Sequence, residues 1–134
     1  MFRKILTAFT ASLIAVSTAV SLAAAPARAA EVSSPFSCRY TFVSWQGGFS
    51  ADLWIANSGP DVDGWTARWT FDTPTRTTAV WAGWLVQPGP HEALAGPMSY
   101  NKLIRTGSVV GFGWTAMAAA TEVPKDITIN GLPC

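Results

Sequence analysis

Residues 64–71 read Gly64-Trp65-Thr66-Ala67-Arg68-Trp69-Thr70-Phe71. Trp65, Ala67, Trp69 and Phe71 alternate with Thr66, Arg68 and Thr70, so a β-strand here buries its rings on one face and shows polar groups on the other. Asp72-Thr73-Pro74 stops it. Upstream, Phe49, Ala51, Leu53 and Ile55 point one way while Ser50, Asp52 and Trp54 point the other, until the turn-forming Asn57-Ser58-Gly59-Pro60. Downstream, further strands are expected over Thr77–Val86, Ala93–Tyr100, Ser108–Thr115 and Asp126–Asn130, parted by Pro88-Gly89-Pro90, Thr106-Gly107 and Asn130-Gly131. Strands recurring about every ten residues, with no sustained helical period after Ala30, predict an all-β sandwich. Ala116–Ala120 alone suggests a helical turn.

The chain has 134 residues, and its first part does not belong to that pattern. Arg3 and Lys4, an apolar run from Ile5 to about Ala25 and the small-x-small exit Ala27-Arg28-Ala29 mark residues 1–29 as a secretory signal peptide. Residues 30–134 form the domain. Ser and Thr within the run separate it from a membrane anchor, so no membrane association is expected after cleavage. Removing Arg3, Lys4 and Arg28 from the nine basic residues leaves six against eight acidic ones, with no basic cluster. Nucleic acid is therefore not an expected partner. The length suits one compact domain, expected to be monomeric, and is short for a catalytic scaffold with a carved cleft.

The two cysteines, Cys38 and Cys134, lie near the start of the domain and at the last residue, and export puts them where a disulfide persists. Their pairing is structural: it restrains the unfolded chain by about 4 to 5 kcal/mol in the loop-entropy model. There is no CxxC spacing and one histidine, His91, so neither a metal nor another cofactor is expected. A glycosidase needs two carboxylates across the scissile bond. Here Asp61, Asp63, Asp72 and Glu122 fall in turns. A copper-dependent oxidase needs a histidine brace, and a hydrolase triad needs a positioned histidine; His91 sits alone in a Pro- and Gly-rich loop. No catalytic role is expected for any residue.

Seven tryptophans exceed what so small a core needs. Trp65 and Trp69 share the apolar stripe. Trp45, Trp81 and Tyr100 stand instead among small or polar neighbours, in Ser44-Trp45-Gln46-Gly47-Gly48, Val80-Trp81-Ala82-Gly83 and Ser99-Tyr100-Asn101. They are candidates for a surface platform, and pattern alone leaves that open against ordinary half-buried rings.

Cys38, Trp45-Gln46-Gly47-Gly48-Phe49, Asn57-Ser58-Gly59, Gly64-Trp65-Thr66, the lone Trp81, Tyr100-Asn101, Gly111-Phe112 and Asn130-Gly131 ahead of Cys134 form an ordered set. In order and spacing, over about Cys38 to Cys134, it resembles the family 2 bacterial carbohydrate-binding modules. The resemblance implies an Ig-like, jelly-roll-like antiparallel β-sandwich, a disulfide joining the two ends, and three coplanar aromatics on one flat face. Trp45, Trp81 and Tyr100 fall at those places. The third is usually Trp, and Tyr100 matches after one extra residue. Rings on every second strand stand about 10 Å apart, near the length of a cellobiose unit. The amide side chains that the family carries between its rings are replaced here by Val43, Asp52, Ala79 and Val109, of which only Asp52 is polar. Trp54 shares the outward face with Asp52 and either extends the platform or covers another part of the sandwich. Trp84 and Trp114 are not placed by pattern.

One small residue bears on specificity. The xylan-binding branch of the resembling family carries Arg three positions after the first surface Trp; here that place is Gly48, where nothing lifts Trp45 off the sheet. The implied function is a secreted, extracellular or cell-wall-associated, non-catalytic protein binding an insoluble polysaccharide, crystalline cellulose or chitin. A signal at one end and Cys134 at the other imply a unit without a fused catalytic domain. The competing function is a secreted sandwich that binds a protein or a small hydrophobic ligand through a face containing Val43, Val109 and Trp54. Coplanar rings favour sugar, and a pocket or convex apolar patch favours the alternative. Mass spectrometry of the exported protein is expected to find its N-terminus near Ala30; an intact residue 1–29 segment would contradict the signal.

Overall fold

The computed structural model describes residues 15–25 and 33–134. Residues 15–25 carry no regular secondary structure, and both the basic start and the Ala27-Arg28-Ala29 exit of the expected signal lie outside the described residues. The body that follows consists of strands: β1 (Phe36–Trp45), β2 (Gly48–Asn57), β3 (Val62–Asp63), β4 (Ala67–Thr70), β5 (Arg76–Trp81), β6 (Gly83–Val86), β7 (Glu92–Pro97), β8 (Leu103–Ile104), β9 (Val109–Met117), β10 (Thr128–Ile129) and β11 (Leu132–Pro133). One sheet has the order β1-β2-β9-β5 and the other β11-β10-β4-β7-β6, with β3 and β8 paired apart. Every pairing is antiparallel. The chain is the all-β sandwich that its alternation predicts, and no helix occurs among the described residues.

The core lies between the sheets and is unusually aromatic. Phe49, Leu53, Ile55, Phe112 and Trp114 face inward from the first sheet, and Trp69, Ala95 and Ile129 meet them from the second. Trp69 stacks on Trp114 with ring centroids 4.9 Å apart, and Phe112 on Trp114 at 5.4 Å. Such pairs add about 0.5 to 1.5 kcal/mol each beyond the area they bury. Trp65, Ala67, Trp69 and Phe71 are all buried, as the quoted stretch requires. Trp114, unplaced by pattern, is fully buried; it follows Phe112 by two residues on β9 and so shares its face.

Several expected boundaries give way. β1 was not anticipated: its inward residues Cys38, Tyr40 and Phe42 lie on an edge strand and are only half-buried, which weakens the alternation. The expected strand Thr77–Val86 breaks at Ala82, whose φ of 57° turns the chain out of the first sheet and into the second. That left-handed conformation costs an L-residue about 1 to 2 kcal/mol, and the Asn101 amide, donating to the Ala82 carbonyl at 2.7 Å, holds it. β7 ends at Pro97, so Tyr100 stands in a turn. Ala116 and Met117 complete β9, and Ala116–Ala120 forms no helical turn.

The two long edges of the sandwich are closed differently. At one, Ala82 carries the chain directly from β5 to β6. At the other, a disulfide joins Cys38 on β1 to Cys134 just after β11, with Cα atoms 5.4 Å apart across 96 residues of sequence. Replacing both cysteines by alanine is expected to lower the unfolding free energy by about 4 kcal/mol in urea denaturation; a loss under about 1 kcal/mol would contradict a stabilising clasp.

Candidate functional site

The outer face of the β1-β2-β9-β5 sheet holds most of the residues singled out by sequence. Trp45 ends β1, Trp54 lies in β2 and Trp81 ends β5, and all three point away from the core. Their exposures are 53%, 41% and 40%. Each has a glycine as its cross-strand partner: Gly48 for Trp45, Gly111 for Trp54 and Gly113 for Trp81. The indoles occupy the space that a side chain on those glycines would need. A Cβ on Gly113 would lie 2.5 Å from the Trp81 ring, one on Gly111 2.5 Å from the Trp54 ring, and one on Gly48 2.9 Å from the Trp45 Nε1. A glycine inside a strand weakens it unless another group comes close, and here an indole does.

Tyr100, 73% exposed, lies in the turn after β7 rather than on a strand. Asn101 fixes that turn: its Oδ1 accepts the Met98 N–H at 2.8 Å, its Nδ2 donates to the Ala82 carbonyl, and its own carbonyl accepts the Trp65 Nε1 hydrogen at 2.9 Å. Tyr100 is thereby tied to the corner next to Trp81. Trp84 belongs elsewhere. It is 41% exposed on the outer face of the second sheet, leaning over Gly96.

The expected spacing of rings on every second strand is corrected by this topology. Trp45 and Trp81 sit on opposite edge strands of the sheet, and only Trp54 and Trp81 are two strands apart. Measured along the strands, Gly113 lies four residues from the Met117 that faces Gly48, about 14 Å, and Gly111 is about 7 Å further. Sequence reasoning quoted Gly111 within a motif and passed over Gly113, and it missed that both make room for an indole because that role depends on register, although a Gly-x-Gly inside a strand is itself a signal of close approach.

Around the rings the face is sparsely polar. Val43, Ala79 and Val109 are exposed on it, as is Arg39, whose guanidinium lies 5.8 Å from the Trp54 ring centre. Asp52 lies between Trp54 and Trp81, its Oδ1 beside the same vacant Cβ position of Gly113. A depression of about 260 Å³ opens at the Trp54 end, lined by Ser37, Cys38, Arg39, Trp54, Ala56 and Val109. Three of the acidic residues have structural partners: Asp61 accepts the Thr106 N–H at 2.8 Å, Asp126 accepts the Thr70 N–H at 3.0 Å, and Asp63, on β3, pairs with Lys102 at 3.7 Å. His91 is exposed, with Nδ1 2.7 Å from the Phe71 carbonyl. No cluster suited to a metal ion occurs among the described residues.

Comparison with known proteins identifies the family and the fold. A family model described as "Cellulose binding domain" matches residues 36–134. Endoglucanase CelA of Streptomyces lividans is 32% identical over 134 residues, covering 98% of this chain and 28% of the relative. Chitinase C of the same organism is 27% identical over 128 residues, covering 92% of this chain and 20% of the relative. The chain thus spans only a small part of these proteins. Among solved structures, the chitin-binding domain of Chi18aC from Streptomyces coelicolor superposes with a TM-score of 0.62 at 25% identity, covering 74% of this chain and 93% of that one. The cellulose-binding family 2 domain from ScLPMO10C shares the fold, with a TM-score of 0.55 at 24% identity, covering 71% of this chain and 93% of that one.

Proposed function

The chain belongs to the cellulose binding domain family, and from that premise we propose that it is a non-catalytic extracellular protein that stacks Trp45, Trp81 and Tyr100 on an insoluble polysaccharide, cellulose or chitin. The observation that carries this is the outward face on which Trp45 and Trp81 lean over Gly48 and Gly113, with the Tyr100 turn tied in beside Trp81. Relatives named as an endoglucanase and a chitinase support a β-linked polysaccharide as the ligand.

Axial C–H groups give a pyranose ring an apolar face. Covering about 100 Å² of it per aromatic contributes roughly 2 to 3 kcal/mol at 25 cal/mol/Å². Three rings supply about 7 to 8 kcal/mol before the entropic cost of association, so micromolar is the tightest binding that the rings alone can give. Asp52 accepts hydrogen bonds from sugar hydroxyls, and the apolar Val43, Ala79 and Val109 leave little else to do so. Gly48 sets the preference for a planar surface over a twisted xylan chain. Any side chain there would meet the Ala116 carbonyl at 2.7 Å and the Trp45 indole at 2.9 Å, so both the ring and the facing backbone would have to move.

Trp45→Ala, Trp81→Ala and Tyr100→Ala are each expected to weaken binding to insoluble cellulose by about 1 to 3 kcal/mol while leaving the fold intact, and Gly48→Arg to shift preference towards xylan. Depletion assays with microcrystalline cellulose, chitin and soluble xylan in parallel read both effects. Tighter binding of the parent to xylan, or alanine variants that bind as well as the parent, would refute the assignment of the face. Purified protein is also expected to release no reducing sugar or oxidised product from these polymers. Release that disappears in an Asp or Glu variant would show an enzyme.

A further inference from the structure

Two indoles reach the same strand from opposite sides. Trp54 comes from β2 and leans over Gly111, and Trp81 comes from β5 and leans over Gly113. The two glycines are separated by one residue of β9, so the two indoles, which spring from the strands on either side of it, meet it at points about 7 Å apart along its length. Asp52 Oδ1 stands at the Gly113 position beside Trp81, and Asp52 is two residues from Trp54 on the same face of β2. Arg39, opposite Trp54 on β1, holds its guanidinium 5.8 Å from the indole centre at the rim of the depression that Ser37 and Val109 also line.

We infer that the Gly111-x-Gly113 segment of β9 is the floor of a discrete sugar subsite that takes a short run of pyranose residues of one β-1,4-linked chain. Trp54 and Trp81 stack on two sugars of that run, Asp52 accepts from their hydroxyls, and Arg39 donates to the sugar over Trp54. This rests on the polysaccharide-binding reading above and extends it. A strip of widely spaced rings needs the ordered surface of an insoluble polymer to meet several at once. Two such rings with an acceptor and a donor beside them need only a short piece of one chain, so this face also holds soluble oligosaccharides. Trp54 is the residue that makes the difference. At 41% exposure it is as available as Trp81 at 40%, and a Cβ on Gly111 would displace it without touching Trp81.

The test uses the whole exported protein with cellohexaose and chitohexaose as soluble probes and microcrystalline cellulose and chitin as insoluble ones. Titration calorimetry gives affinity, and ¹H–¹⁵N spectra report the indole N–H of each tryptophan. The parent is expected to bind at least one hexasaccharide, with the Trp54 and Trp81 indole signals moving together. Trp54→Ala should weaken that binding by about tenfold or more, and Gly111→Ala should do likewise, while Trp84→Ala leaves it unchanged. Because Trp54 is exposed, its alanine variant is free of the folding risk that Gly111→Ala carries. A parent that binds insoluble polymer but neither hexasaccharide, or a Trp54→Ala variant that binds the hexasaccharide as the parent does, overturns the subsite and leaves the strip standing. A parent that binds no insoluble polysaccharide overturns both.

Discussion

An indole can lean over the neighbouring strand of a β-sheet only where that strand carries no Cβ. The outer face of the four-stranded sheet is arranged around this constraint three times, with Trp45 over Gly48, Trp54 over Gly111 and Trp81 over Gly113. Each glycine costs a strand about 0.5 to 1 kcal/mol relative to alanine, and the covering ring offsets that by packing where a side chain would otherwise be. The inward positions of the same strands hold Phe49, Leu53, Phe112 and Trp114. Large rings therefore occupy both sides of the sheet, stacked and fully buried on one and leaning and half-exposed on the other. The buried stack of Trp69 on Trp114 backs the very strand that carries Gly111 and Gly113, so the exposed rings rest on a firm floor.

Buried or bonded amides fix the loops around that floor. Asn57 is almost wholly enclosed, donating to the Pro60 and Ile104 carbonyls at 2.8 and 3.0 Å while its Oδ1 accepts the Gly59 N–H at 3.0 Å. Every hydrogen-bonding atom of that side chain is engaged, which is what burial of an amide demands. Asn130 adopts a φ of 51° and accepts the Thr66 N–H at 2.8 Å, pinning the last hairpin to the start of β4. Asn101 links the Tyr100 turn to both the Ala82 corner and the core Trp65. Burial of the Tyr40 hydroxyl on β1, against Trp114, pushes its titration well above the ordinary phenol range.

Much of this was legible in the chain because a half-buried strand writes its parity into the sequence. Trp65 to Phe71 and Phe49 to Ile55 fixed which side of β4 and β2 faces inward, and the parity of β2 sent Asp52 and Trp54 outward together. The end-to-end cysteine pair was also legible, since a count of two leaves a single pairing. What escaped was information carried between strands. The chain's exit at Ala82 splits one apparent strand between two sheets. The convergence of Trp54 and Trp81 on β9 exists only in the register of three strands, so no local window contains it. Trp84 sits in Gly83-Trp84-Leu85-Val86, which has no polar alternation to place it, and only the sheet order reveals that it lies on the opposite outer face.

That opposite placement supplies an internal control for the central claim, that the ligand lies on the outer face of the β1-β2-β9-β5 sheet. Trp84 matches Trp54 and Trp81 in exposure, with values of 41%, 41% and 40%, and it leans over a glycine as they do. Oxidation of exposed indoles, mapped by peptide mass spectrometry on the free protein and on the protein adsorbed to cellulose, compares them within one molecule. Adsorption should protect Trp45, Trp54 and Trp81 while Trp84 reacts as it does in solution. Protection of Trp84 with continued reaction of the other three would place the ligand on the wrong sheet for this account.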